Sequence, residues 1–396
     1  MIHINHIISN FNAKTMSGRR TYATLVALRR EGYQVSLIVG KDFQPAPDWN
    51  LAGIQIFHLP DLVKNIAPDQ DIKALHGLTE ILRRHRPQVI HTHLAKAGVL
   101  GRLAARLAGV PLIMHTVHGP TFPPVLPKAK QLAFKSMEKI CSRVTDHFIF
   151  VGEELRQDYI NAGICRNGLT SVIRTGRPQE EFAAVDAIPA SQLAAIRRSI
   201  TAAPEAFLIG VVSRLAPMKR LEEAIQILHL LRQQGIPAHL AIAGAPDPPE
   251  ETHYRDALRQ LTASLELAPY VHFIGFREDI LPFMKAMDAL LLTSSYEGLP
   301  NVVVEAGIVG RPIVVYEVCG LRELIVDGET GYVVPQGDRH GATAKLKYLA
   351  QNPIFCSDMG HKASQVMRQK FNLEKMLAEK IKLYREFLTT KGFLTC

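Results

Sequence analysis

The chain alternates short apolar runs with longer segments whose apolar positions recur at helical spacing, and it does so twice. In the first half IHINHII, YQVSLIVG, IQIFHL, PQVIHTH, PLIMHTVHG and DHFIFVGEE read as strands, each running out into polar or glycine residues. Between them lie segments such as SGRRTYATLVALRREG and AGVLGRLAARLAG, which have helix length and close on glycine. FLIGVVSRL, HLAIAG, VHFIGF, ALLLTSS, RPIVVYE and GYVVP repeat the alternation in the second half. Strands alternating with helices predict an α/β fold of two doubly wound parallel sheets with helices on both faces.

Around residues 176–205 the strand pattern lapses while Pro and Ala rise. The expected boundaries are a first domain over 1–178, a linker over 179–204 and a second domain over 205–375. The tail, at about 376–396, reads as an amphipathic helix that packs back across the seam. Two such domains leave a cleft, and ligands of open parallel sheets bind beyond the carboxyl ends of the strands. Chemistry is therefore sought in the residues that follow each strand. Neither half carries GxGxxG after its first strand, which speaks against a dinucleotide.

Composition narrows the picture. A chain of 396 residues exceeds one core, and 47% hydrophobic with 21% charged residues is ordinary for a soluble globular protein. No apolar run reaches the roughly 18–20 residues that cross a bilayer. MIHINHIISN lacks the basic and apolar regions of a secretory signal. Cys141, Cys165, Cys319, Cys356 and Cys396 are scattered with no CxxC pair, which fits a reducing cytoplasm rather than a disulfide framework or a zinc site. The expected location is cytoplasmic, with peripheral attachment to the inner membrane as an extension. Residues 1–185 hold 23 Lys and Arg against 14 acids, whereas 186–396 hold 23 of each, so the whole net charge of +9 lies in the first half. That half is expected to meet an anionic surface or acceptor. Nucleic acid is the rival partner, but no aromatic-interleaved basic motif or zinc-finger spacing supports it.

In SSYEGLPNVVVEAGIVGRPIVV, Glu297 lies among turn formers and Glu305 in a short helix opened by Pro300. A helix entrance seats phosphate on its N–H groups and positive dipole end. Carboxylates on either side can then grip hydroxyls of the same ligand; taken alone, two solvated glutamates account for the spacing equally well. After FLIGVV come Arg214 and Lys219, able to neutralise a diphosphate leaving group or, on the plainer reading, simply solvated. After VHFIGF, backbone around Phe276 and Arg277 can read a flat base edge; the alternative is a helix start made by Glu278 and Asp279.

Taken together these stretches resemble the retaining GT-B-fold glycosyltransferases of family 4 (glycosyl transferases group 1). The likeness is carried by E-x7-E from Glu297 to Glu305, EGLPN, GRPIV, GLRELIVDGETG, SRL-x-P-x-K and GFRED in the family's order, tightest over 207–335. It implies two Rossmann-like domains facing an interdomain cleft. It also implies transfer of a sugar from a nucleotide-diphosphate sugar, UDP favoured and GDP admitted, to a glycan or a polyprenyl- or other lipid-linked acceptor in surface polysaccharide or lipopolysaccharide assembly. By the same resemblance Glu305 would hold the ribose and Glu297 the transferred sugar, helped by the backbone of Gly298, Leu299, Pro300 and Asn301. Arg214 and Lys219 would hold the diphosphate, and Phe276 and Arg277 would flank the base.

In the first half His118, from MHTVHGP, would line the sugar site and support the transition state; a satisfied strand-end histidine is the alternative. His115 reads as structural. His93 of VIHTH, with Arg19 and Arg20, is expected on the acceptor side. Gly18 would keep the role of the family's glycine loop, although Ser17-Gly18 replaces Gly-Gly, and RTGRP at 174–178 departs from the usual Asn-Gly at the hinge. A front-face attack in which the leaving diphosphate takes the acceptor's proton needs no enzymic nucleophile, and neither metal nor cofactor is expected. Asp69-Gln70-Asp71 spells D-x-D, but it opens a helix-like run where acids suit the dipole. In VLPKAKQLAFKSMEKICSRV, Lys128, Lys135 and Lys139 share one side and Leu132, Ala133 and Ile140 another, suited to an anionic membrane or to an ordinary surface. The rivals are an epimerase or phosphorylase on the same scaffold, and a silent homologue that only binds nucleotide or glycan. Nothing points to the pyridoxal-bearing lysine of a glycogen-type phosphorylase, and intact Glu297, Glu305, Arg214, Lys219 and His118 weigh against silence.

Overall fold

The computed structural model describes residues 1–245, 252–318 and 320–394, so Cys319 and Cys396 lie outside the described residues. Two compact units emerge: Met1–Gly176 with the segment from Leu373 onward, and Arg177–Asn372.

The first unit is built on β1 (His3–Asn12), β2 (Gln34–Gln44), β3 (Ile54–His58), β4 (Val89–His93), β5 (Leu112–Val117), β6 (His147–Phe150) and β7 (Thr170–Val172), in the order β3-β2-β1-β4-β5-β6-β7. The second is built on β8 (Phe207–Val212), β9 (Ala238–Ala243), β10 (Val271–Gly275), β11 (Ala289–Leu292), β12 (Ile313–Tyr316) and β13 (Gly331–Val334), in the order β10-β9-β8-β11-β12-β13. Every pairing in both sheets is parallel. Strand order reverses between β1 and β4 and again between β8 and β11, the switch points where open α/β sheets take ligands.

Central strands are apolar on both faces because helices cover both. Along β8 the two-residue period divides the core: Ile209 and Val211 pack with Ile225 and Leu228 on one side, Leu208 with Val303 and Leu290 on the other. In the first unit Ile4 and Ile8 pack with Met376, Tyr384 and Leu388 of the helix Leu373–Thr390, while Ile7 packs with Leu78 and Leu82 on the opposite face. That terminal helix therefore completes one face of the first unit.

Residues 179–204, expected as a linker, instead hold the helices Gln179–Asp186 and Ala190–Ile200, whose Phe182, Val185 and Ile200 are buried in the second unit. Pro178 and Pro189 punctuate the sequence because each stands just ahead of a helix start. Asp69 and Asp71 lie in the first turn of the helix Pro68–His85; Asp71 pairs with Lys96 and accepts from the Ala67 N–H at 3.3 Å. Among the described residues no helix is long and apolar enough to cross a membrane.

Candidate functional site

In the second unit the loops leaving β8 and β11 lie on either side of the switch point and are stitched together. The Ser295 N–H donates to the Met218 carbonyl at 2.9 Å, and Thr293 Oγ1 donates to the carbonyls of Lys219 and Arg220, both at 3.0 Å. This backbone lacing brings Lys219, in the turn Pro217–Lys219, onto Glu297: its Nζ donates to Glu297 Oε1 at 2.7 Å. Ser294 Oγ donates to the same oxygen at 2.6 Å. Glu297 is 9% exposed, so its charge is satisfied by a cation and a hydroxyl rather than by bulk water. Arg220, next to the lysine, takes a left-handed backbone at φ 49°. Arg214 is exposed on the loop after β8.

From Glu297 the chain passes through Gly298, Leu299 and Pro300 into the helix Asn301–Ile308, whose N-cap residue, Pro300, makes no side-chain cap hydrogen bond. Such an entrance favours an anion. Gly320, at φ 82°, presses on this loop; a Cβ there would sit 2.2 Å from the Gly298 carbonyl oxygen, so only glycine fits. Glu305 lies one turn into the helix and is paired with Arg177, which also reaches Glu181 Oε2 at 3.0 Å. Arg177, only 4% exposed, was not anticipated from the sequence. The departure of RTGRP from the family's hinge pattern was the nearest signal, and Arg177 and Glu305 lie 128 positions apart. Beyond β10, Phe276 is 62% exposed, and the Arg277 guanidinium lies 5.9 Å from the Phe283 ring centre.

The first unit assembles a different group on one sheet face. His6 on β1 is in register with His91 on β4, and His93 with Thr116 on β5. His91 and His93, two residues apart, share a face, and His118 follows Thr116 by the same two-residue step. The helix Leu373–Thr390 covers that face and delivers Tyr384 and Lys380. His93 Nδ1 lies 3.2 Å from His118 Nε2, His6 Nδ1 lies 2.9 Å from His93 Nε2, and Tyr384 Oη lies 3.2 Å from His6 Nε2. His91 bonds Tyr384 through Nδ1 and lies 2.6 Å from Thr116 Oγ1 through Nε2. Burial and the nearby Lys380 push His6 and His118 down to about 3, and burial together with neighbouring imidazoles holds His91 and His93 well below 6.5. Lys380, buried and near Arg20, is lowered to about 7; its Nζ donates to Thr24 Oγ1 at 3.0 Å.

His93, expected on the acceptor side, is 1% exposed, and its Nδ1 lies 3.2 Å from His118 Nε2. His115 faces the other way, its Nδ1 2.9 Å from Thr92 Oγ1, as a structural residue would. Gly18 lies in the first turn of the helix Met16–Arg30, and a Cβ would meet the Asn12 carbonyl oxygen at 2.2 Å; its requirement here is close packing of that helix on the end of β1. Arg20 is 7% exposed, whereas Arg19 is exposed and donates from Nε to the Ala13 carbonyl at 2.6 Å. His6, Tyr384 and Lys380 were missed, since nothing in a first strand or a terminal helix marks them in isolation. His6, His91 and His93 each offer a nitrogen within 4.8 Å of the others. An ion would need those lone pairs turned to one centre about 2.1 Å away. Here every ring nitrogen of the three faces a hydrogen-bond partner instead.

Two families match: "Glycosyltransferase Family 4" over residues 17–180 and "Glycosyl transferases group 1" over 194–366. An Escherichia coli enzyme, UDP-Gal:alpha-D-GlcNAc-diphosphoundecaprenol alpha-1,3-galactosyltransferase, is 28% identical over 368 residues, 92% of each chain. Anabaena HepE in complex with UDP superposes with a TM-score of 0.75 at 20% identity, covering 98% of this chain and all of its own. Sucrose-phosphate synthase from Thermosynechococcus elongatus superposes with a TM-score of 0.83 at 18% identity and the same coverage. With two parallel Rossmann-like sheets, a lysine–glutamate pair at one switch point and both family matches in chain order, the chain belongs to the family 4, group 1 glycosyltransferases of GT-B fold.

Proposed function

We propose that the enzyme transfers a hexosyl or N-acetylhexosaminyl group, with retention of configuration, from a UDP-sugar to a lipid-linked or glycan acceptor of a surface polysaccharide. The observation that carries this reading is the Lys219–Glu297 pair beside the helix entrance at Pro300. An arriving diphosphate offers Lys219 a second anion, and Arg214 together with the helix entrance adds positive potential where leaving-group charge grows. Glu297, its Oε1 held by Lys219 and Ser294, keeps Oε2 for a sugar hydroxyl. Glu305 serves the ribose, and Arg177 sets its rotamer. His118 supports the transferred sugar. No side chain need act as nucleophile, because the leaving diphosphate takes the acceptor's proton. The donor and acceptor class are further supported by the Escherichia coli relative, whose name specifies UDP-Gal and a diphosphoundecaprenol-linked sugar.

Attachment to an anionic membrane is part of the proposal. The helix Lys128–Ser142 leaves Leu132, Met137 and Ile140 exposed among Lys128, Lys130 and Lys139. The deciding measurement is nucleotide release from UDP-, GDP- and ADP-sugars with and without a polyprenyl-diphosphate-sugar acceptor. UDP release that depends on acceptor is expected. Binding without release under every condition would instead identify a silent homologue.

A further inference from the structure

The contacts on the β1–β4–β5 face of the first unit run in single file: Thr116, His91, Tyr384, His6, His93, His118. A neutral imidazole has one N–H and one bare nitrogen, and a phenol has one O–H. Between two imidazoles one nitrogen must donate and the other accept, so the protons of such a file either all point the same way or reverse at the phenol, whose oxygen can accept twice. Reversal there leaves the buried Tyr384 O–H without an acceptor among the described residues, which is unfavourable, and two arrangements remain.

The Thr116 end chooses between them. Thr116 is 2% exposed, and among the described residues its hydroxyl bonds only His91. If the protons run from His118 toward Thr116, that hydroxyl accepts from His91 and its own O–H is buried without an acceptor, which is unfavourable. If they run the other way, Thr116 donates to His91 Nε2 and His91 Nδ1–H donates to Tyr384. Tyr384 then donates to His6 Nε2, His6 Nδ1–H to His93 Nε2, and His93 Nδ1–H to His118 Nε2. Every buried donor is then used. Half-buried His118 ends the file with its Nδ1–H directed away from it. Lys380, its Nζ bonded to Thr24 beside this face, opposes an added proton anywhere along the file.

We propose that His6, His91, His93 and Tyr384 are positioning residues that hold His118 as a neutral imidazole with its proton on Nδ1, able to donate to a ligand oxygen and unable to act as a base through Nε2. The consequence for turnover rests on the role given to His118 above; the proton arrangement itself does not.

The test is a 15N spectrum of the full-length protein labelled at histidine, with signals assigned by single replacements such as His118→Asn. All four histidines are expected as Nδ1–H tautomers, the minor form of the free side chain. A His118 protonated on Nε2 in the unaltered protein overturns the proposal. So does retention of one equivalent of zinc after dialysis with shifted His6, His91 and His93 signals, which would make the group a metal site. Thr116→Val removes the anchoring O–H at constant shape, and His118 should then become a tautomer mixture; unchanged His118 signals overturn the proposal. Tyr384→Phe cuts the file in the middle and should mix the His118 tautomers likewise, with kcat lowered on the order of tenfold and the donor KM altered less than about twofold. If the signals mix but kcat holds, the file stands and the catalytic role of His118 falls.

Discussion

In the second unit Lys219 lies 2.7 Å from Glu297 and Arg177 is paired with Glu305, so that region is laced by opposite charges. In the first unit four histidines, a tyrosine and a threonine bond one another, and among the described residues no carboxylate bonds any of them. The difference separates two ways of readying a site. Charged pairs at a switch point can exchange partners when an anion arrives, so on the proposed reading the cation is held in place before it is needed. A buried neutral file cannot take up charge without a large desolvation penalty, so it serves by fixing where protons lie.

The largest effect should come from breaking the charged side of this contrast. Lys219→Ala removes the cation assigned to the leaving diphosphate and strands Glu297 with Ser294 alone. Turnover is expected to fall about 100- to 1,000-fold, measured as acceptor-dependent nucleotide release. A loss below about tenfold would move the charge-stabilising role to Arg214 and the helix entrance.

On the neutral side, His118→Ala removes one donor at the end of the file. Turnover should drop on the order of ten- to 100-fold while nucleotide affinity changes little; full activity in this variant contradicts the role given to His118. Glu305→Ala should do the reverse, weakening nucleotide binding about tenfold by calorimetry with a smaller change in kcat. Equal effects of the two variants on binding would erase the division of labour between the units.

The smallest effect is on stability. His6 is held at about 3, below its unfolded value of 6.5, so between those values the unfolded chain binds more protons and stability falls as pH falls. Carboxylates titrate mainly below this upper range, so melting temperatures between about pH 6.5 and 5 report chiefly on buried histidines. His6→Gln should flatten that slope by at most about 1.4 kcal/mol per pH unit. A parallel displacement of the whole curve would show that His6 does not titrate as buried and neutral.

The contrast also explains what could be read early. Glu297 and Glu305 lie eight positions apart in a loop-to-helix stretch whose turn residues show in the sequence, and Lys219 follows a recognisable strand. Local spacing was sufficient there, because the β8 and β11 loops meet wherever their strands are neighbours. The first-unit file joins β1, β4, β5 and the terminal helix, with His91 and Tyr384 293 positions apart. A histidine inside an apolar strand looks the same whether its neighbour is leucine or another histidine. The helices in 179–204 were missed for a related reason: short helices announced by proline resemble a linker until Phe182, Val185 and Ile200 are seen to be buried.

By itself the sequence determined the two α/β sheets, the places where their strands end and the charged residues that follow them, because two-residue and helical periodicities and turn chemistry act over a few neighbouring positions. Only the tertiary structure decided that Arg177 sits on Glu305, that His93 meets His118 and that Tyr384 closes a file of imidazoles. Those contacts depend on strand order and on which face a distant helix covers, and no local pattern carries that information.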